Sequence, residues 1–158
     1  MTTVWRLAPP AFAHLLEGEG SRIAGGRWNS PGRQVLYTSA HLSLSVLEVY
    51  VHIAPALRDD MPEFEAVRID VPDDAGMTNV SIDQFERLMA SRDPLAACQS
   101  AGDDWTSRGV DLVLRAPSVL VPEDLNLMLN PAHPRMREVA IRSSRRFRFD
   151  PRLSEARR

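Results

Sequence analysis

Lysine is absent from this sequence, and all 19 basic residues are arginine. The absence excludes a phosphate loop that ends in Gly-Lys-Ser/Thr, any Schiff-base chemistry and any lysine general base. A GC-rich genome explains it most simply, although arginine also keeps its charge and grips phosphate or carboxylate through two parallel bonds. Cysteine occurs once, at Cys98, so an internal disulfide is impossible and a reducing compartment is the natural home. No activating base stands near Cys98 in the chain, which leaves it a small core residue. No apolar run approaches the length of a membrane span, and no charged-then-apolar signal opens the chain. The expected location is the cytoplasm, with no membrane partner.

What is present reads as one soluble domain, residues 1–158. Its 44% apolar and 25% charged residues are ordinary for such a domain, and its length is enough to bury roughly two-thirds of the unfolded surface. Charge is uneven. From Arg135 onward nine arginines face three acids, a local charge of +6, which leaves −8 on the remainder. A basic end can touch nucleic acid or an acidic protein. Yet Arg146 and Arg148 alternate with Phe147 and Phe149, the period of a half-buried strand with a solvated face. With aromatics sparse elsewhere and the net charge slightly negative, direct nucleic-acid binding is not expected.

Along the chain, Val4–Leu7 reads as a strand and Ala11–Leu16 as a brief helix. Gln34–Thr38 is a second strand, and Ser39 is a fitting N-cap for a helix over His41–Ile53. Leu42, Val46, Val49, Tyr50 and Ile53 form the apolar stripe of that helix. His41, Ser45, Glu48 and His52 form another stripe, either solvated or lining a cleft. No HExxH pattern or third ligand completes a metal site there. Glu65–Val71 alternates as a strand. Ser81–Ser91 is a helix opened by a Ser81/Gln84 capping box, with Phe85, Leu88 and Met89 facing inward. Ala96–Ser107 is helical with an interruption at Gly102 and an end at Gly109. Val110–Leu114 and Ser118–Val121 read as further strands, and Asn126–Asn130 leads into two proline turns. Strands at both ends with helices between give an α+β layout.

One stretch carries chemistry: Gly25-Gly26-Arg27-Trp28-Asn29-Ser30-Pro31-Gly32. A glycine turn lets backbone N–H groups and a guanidinium approach a phosphate closely, although an ordinary hairpin turn fits the same residues. Taken singly, Arg27, Tyr37, Glu48 and Ser118 each have a structural explanation. In order, however, Trp5-Arg6, Gly-Gly-Arg27-Trp-Asn, Leu36-Tyr37, Leu47-Glu48-Val49 and Pro117-Ser118 resemble the RES-domain family, named for its Arg, Glu and Ser. The likeness runs on through Gly102-Asp103-Asp104-Trp105, the segment Leu127 to Pro134, and Phe147 to Leu153. Asp124 departs from it, standing where glutamate is expected, and puts a supporting contact in question.

The resemblance implies an ADP-ribosyltransferase-like fold of small, mostly antiparallel sheets with helices grouped around them. It implies NAD as substrate with no other cofactor and no metal. It also implies the toxin half of a type II toxin–antitoxin pair, silenced by a DNA-binding Xre-type antitoxin that blocks the active site. Consumption of NAD by a glycohydrolase or phosphorylase would be bacteriostatic, and transfer of ADP-ribose to a host protein is the alternative. The residues suit that chemistry. Breaking the nicotinamide–ribose bond develops positive charge on the ribose, which a carboxylate stabilises; Glu48 is the candidate. Arg27 would hold the diphosphate. Tyr37 would offer a ring face to nicotinamide and a hydroxyl to ribose or phosphate. Ser118 would bond the ribose or its phosphate, Arg6 would make a second phosphate contact, and Asn130 and His133 would hold a loop. Ser118 lacks a nucleophile-elbow pattern, which counts against a serine hydrolase, and Gly25-Gly26 is no dinucleotide fingerprint of a redox enzyme. From other classes, a ribonuclease or nucleic-acid-binding toxin and a non-catalytic interaction domain complete the expectations.

Overall fold

A computed structural model describes residues 1–58 and 60–153. Seven strands make up its sheet: β1 (Thr2–Ala8), β2 (Leu36–Ser39), β3 (Phe64–Val71), β4 (Met77–Asn79), β5 (Val113–Pro117), β6 (Leu125–Leu129) and β7 (Ala140–Phe147). Four α-helices accompany them: α1 (Glu19–Ala24), α2 (Leu42–His52), α3 (Ile82–Met89) and α4 (Pro94–Arg108). The strand order is β4-β5-β6-β2-β1-β3-β7. Every neighbouring pair is antiparallel apart from β4 with β5. Within the sheet, β1 and β2 meet through one residue pair, Trp5 opposite Ser39. A four-strand block and a three-strand block therefore share a narrow junction, and the α+β layout is built on one mostly antiparallel sheet in place of several small ones.

Alternation along each strand sorts side chains onto two faces. One face carries Val4, Leu36, Val67, Ile69, Leu127 and Leu129, a core closed over by Ala13, Leu16 and Met136. The other face carries two separate patches. Val35, Leu114 and Met128 lie under Phe85 of α3 and under Cys98 and Trp105 of α4. Leu7, Phe64 and Ala66 lie under Val46 and Val49 of α2 and Ile53 just past its end. Between these patches, Ser39 of β2 stands directly opposite Asn126 of β6. That strip of polar residues between two helix-covered cores is where the site lies.

Several boundaries differ from the sequence reading, each for a physical reason. Residues 11–14 form turns, not a helix. Arg6 Nη1 donates to the carbonyls of Phe12 and Leu15 at 3.0 and 2.6 Å, taking acceptors that a helix would use itself. α2 begins at Leu42 with His41 in the N-cap position and no side-chain cap. Ser39 stays in β2 and spends its hydroxyl across the sheet on Asn126. α4 runs unbroken through Gly102, capped by the Asp93 side chain and stopped at Gly109, whose φ is 60°. The glycine at 102 answers a packing need: a Cβ there would sit 2.6 Å from the carbonyl carbon of Trp28. β5 lies three residues later than expected, and residues 118–121 leave the sheet as a bend. The Ser81/Gln84 capping box forms in both directions.

Candidate active site

Glu48 is held, half-buried, on the polar strip. Its Oε1 accepts two hydrogen bonds, from Ser118 Oγ at 2.9 Å and from Asn126 Nδ2 at 2.6 Å. Asn126 Oδ1 in turn accepts from Ser39 Oγ at 2.7 Å. The rest of the stripe expected on α2 divides: Ser45 is buried and bonds the Trp5 carbonyl at 2.9 Å, while His41 and His52 are exposed. His41 meets the Asp124 carboxylate at 2.9 Å. Aspartate at that position therefore still makes a supporting contact, linking the start of α2 to the start of β6.

Ser118 is fully buried and sits behind the carboxylate. Its oxygen accepts from the amides of Leu120 and Val121 at 3.0 and 3.3 Å, so its one proton is free to go to Glu48. A ribose or phosphate contact by Ser118, expected from the resemblance, gives way to a role in holding Glu48.

Tyr37 lies two residues before Ser39 on β2. Both side chains share a face, roughly 7 Å apart along the strand. The Tyr37 hydroxyl accepts from the Trp28 amide at 2.9 Å and donates to Asn29 Oδ1 at 2.7 Å. Burial pushes the phenol well above its ordinary range, so it remains a donor. Both capacities of the hydroxyl are thus spent on the glycine loop, and what remains for a ligand is the ring. Gly26 is required by this arrangement, because a Cβ there would lie 2.7 Å from Tyr37 Cζ and 2.9 Å from Asn29 Oδ1. Tyr37→Phe would leave the buried Trp28 amide and the Asn29 carbonyl unpaired, and should destabilise the protein by about 1–3 kcal/mol. Urea denaturation measures this, and an unchanged midpoint would show that the loop is held by other bonds.

Further clamps fix the same loop. Asn29, fully buried, donates through Nδ2 to the carbonyls of Ser21 and Arg33 at 2.8 and 2.9 Å. Gln99 Nε2 donates to the Gly26 carbonyl at 3.0 Å. Asp103 accepts from the Ser30 amide and hydroxyl at 3.0 and 2.6 Å. The Gly102–Trp105 motif is therefore the seat on which the loop docks, with Trp105 in the core beneath.

The loop presents Arg27 half-buried. Among the described residues no carboxylate pairs with it; its contacts are the sulfur of Met89 at 3.8 Å and the thiol of Cys98. Burial raises the Cys98 thiol above its ordinary range against the opposing pull of Arg27, which leaves it a neutral core group. Arg6 stands apart. It falls between Val4 and Ala8 on the first-core face, away from Tyr37 and Ser39, with its guanidinium on the 12–15 carbonyls. Burial lowers its proton affinity and nearby Glu17 raises it. The expected second phosphate contact is replaced by a structural one.

Asn130 and His133 tie the turn after β6. Asn130 accepts from the Ala132 amide at 3.1 Å, and His133 Nδ1 accepts from the Arg135 amide at 3.1 Å while Nε2 faces the Val110 carbonyl at 3.3 Å. Among the described residues, a cavity of about 290 Å³ lies beside Met61 and Phe149, and one of about 370 Å³ lies between α3, α4 and β4. Neither is lined by Arg27, Tyr37, Glu48, Ser118 or Asn126. Sequence reasoning gave no site role to Asn126 or Gln99, took Asn29 only as part of the glycine turn and read Ser39 as an N-cap. For Asn126 a signal existed: it is a polar residue at an alternate position of the otherwise apolar run Leu125 to Leu129.

Known proteins share this sequence pattern and this fold. The model of the RES domain family matches residues 3–150. A protein named Prs ADP-ribosylating toxin, from Sphingobium sp. (strain YBL2), is 33% identical over 96% of each chain. A protein named Toxin Res, from Yersinia enterocolitica, is 32% identical over 90% of this chain and 92% of its own. In fold, the chain is similar to one from the MbcT–MbcA toxin–antitoxin complex of M. tuberculosis, with a TM-score of 0.74 and 22% identity over 96% of this chain and 85% of that one. With the family's model matched almost end to end and relatives about a third identical along most of their length, this chain belongs to the RES domain family.

Proposed function

We propose that this chain is the toxin half of a bacterial toxin–antitoxin pair and that it cleaves the bond between nicotinamide and ribose in NAD. One observation carries the reading: Glu48 is anchored through one carboxylate oxygen, on the sheet face whose neighbouring tyrosine holds the loop of an arginine with no acidic partner among the described residues. A half-buried guanidinium without a counter-charge suits an anion supplied by a ligand. The NAD diphosphate is such an anion, and the Tyr37 ring offers its face to nicotinamide. Nicotinamide leaves with the bonding electron pair, and positive charge develops on the ribose C1′ and its ring oxygen. The Glu48 carboxylate offsets that charge. Water, inorganic phosphate or a protein side chain then donates a lone pair to C1′ and loses its proton.

Relatives support the toxin role, since two at 32–33% identity carry toxin in their names. The Sphingobium relative is named for ADP-ribosylation, which favours transfer to a protein as the second reading. The partner in this proposal is a DNA-binding Xre-type antitoxin that covers Glu48 in the cytoplasm. No helix among the described residues is long and apolar enough to cross a membrane.

The test is to incubate purified protein with NAD alone, with phosphate, and with cell extract, and to measure free nicotinamide and the mass of labelled acceptors. Nicotinamide is expected in at least one arm; its absence from all three would sink the proposal. Arg27→Ala should raise KM for NAD roughly 10–100-fold, the loss of one charge-assisted contact. A KM within about twofold of wild type would take Arg27 off the diphosphate.

A further inference from the structure

We propose that Asn126, itself held by Ser39, is the positioning residue that sets the direction of the Glu48 carboxylate. It locks Oε1 so that Oε2 is the oxygen presented to the ribose. This inference rests on the NAD-cleaving reading and adds to it a residue outside the Arg, Glu and Ser for which the family is named.

The hydrogen bonds form a chain with one sense. Ser39 Oγ donates to Asn126 Oδ1, and Asn126 Nδ2 donates to Glu48 Oε1 at 2.6 Å. From the other side Ser118 Oγ donates to the same Oε1 at 2.9 Å, while accepting the Leu120 and Val121 amides. The Glu48 carboxylate can only accept, so Asn126 must turn Nδ2 towards it, which leaves Oδ1 to take the Ser39 proton. The two donors that reach Glu48 both point at one carboxylate oxygen. Among the described residues no donor reaches Oε2.

The geometry behind this is rigid. Ser39 and Asn126 are directly opposed on antiparallel strands, a placement that brings their Cβ atoms within roughly 4.5–5.5 Å. Ser39 is 3% exposed, so water does not compete for its proton. Strand pairing therefore fixes the asparagine, and the asparagine fixes a glutamate that belongs to a helix. Without it the carboxylate would keep one donor and rotate about its terminal torsion, a broad and soft coordinate. A catalytic group displaced by about 1 Å can lose on the order of 10²-fold in rate.

The test follows nicotinamide release by the purified chain. Asn126→Ala is expected to lower kcat about 10–100-fold with KM for NAD within about threefold, since Asn126 acts on the reacting group and not on NAD binding. Asn126→Asp keeps the shape but has no donor, and should fall at least as far. Ser39→Ala should lose less, and Ser39→Ala/Asn126→Ala should be no slower than Asn126→Ala, because both act through one chain. A kcat for Asn126→Ala near wild type, an active Asn126→Asp, or multiplying effects in the double variant would each overturn the proposal. If the wild type releases no nicotinamide, the NAD reading fails separately. The anchor is then decided by a urea-denaturation cycle on Asn126→Ala, Glu48→Ala and their combination. Coupled costs support it, and additive ones overturn it.

Discussion

Glu48→Gln is expected to slow nicotinamide release about 10²–10³-fold while leaving the fold intact. The substitution isolates charge from shape. A glutamine carbonyl can take the place of Oε1 and accept from Ser118 and Asn126, with its amide group where Oε2 was. The network is satisfied, so thermal unfolding should be close to that of wild type. What disappears is the negative charge facing the ribose as nicotinamide departs. Measuring kcat and melting temperature on the same preparation separates the two effects. A folded Glu48→Gln variant with a near-normal rate would remove this residue from the chemistry and leave the NAD-cleaving proposal without its central group.

Gly102→Ala is expected to be the most damaging single methyl in the chain. Its Cβ would meet the backbone of Trp28, with the carbonyl carbon at 2.6 Å and Cα at 3.0 Å. Backbone stands on both sides of that contact, α4 on one and the arginine loop on the other, so no side chain can swing away. Overpacking of this kind costs about 3 kcal/mol or more, which for a domain of this size lowers Tm by about 6–12 °C. The displaced residue is the neighbour of Arg27, so the surviving folded fraction should also show a raised KM for NAD. Differential scanning calorimetry reads the first effect. A Tm within about 2 °C of wild type would show that the loop floats on α4 without being docked there.

Much of the fold was readable because its cause is local. The alternation of Glu65 to Val71 is the signature of β3, and Ser81 with Gln84 announces a helix start through the bonds it makes. The stripe Leu42, Val46, Val49, Tyr50 and Ile53 all packs into one core. Misreadings fell where a residue's partner is remote in sequence. Ser39 has the chemistry of an N-cap, yet its hydroxyl goes to Asn126, 87 positions away. Gly102 looks like a helix break, and is a glycine because Trp28 crosses it. Residues 11–16 have helical composition, but Arg6 captures their carbonyls. Arg27, Tyr37, Glu48 and Ser118 read from the sequence as an ordered set, and the structure puts Ser118 on Glu48 and Tyr37 on the loop that carries Arg27. The division of labour among them was not legible, because two hydroxyls expected to meet a ligand are spent on the protein. Nothing in the residue letters distinguishes a serine that touches ribose from one that braces a glutamate.

The sheet's two blocks touch at a single rung, Trp5 beside Ser39. Glu48 rides on the helix packed over β1, whereas Ser118 and Asn126 belong to the other block. The two bonds to the carboxylate therefore also stitch across the line where strand pairing is narrowest. Mechanical integrity and reactivity are tied together in one knot. A change that frees the glutamate removes bonds that span this junction, and amide protons flanking that rung should report it by faster hydrogen exchange.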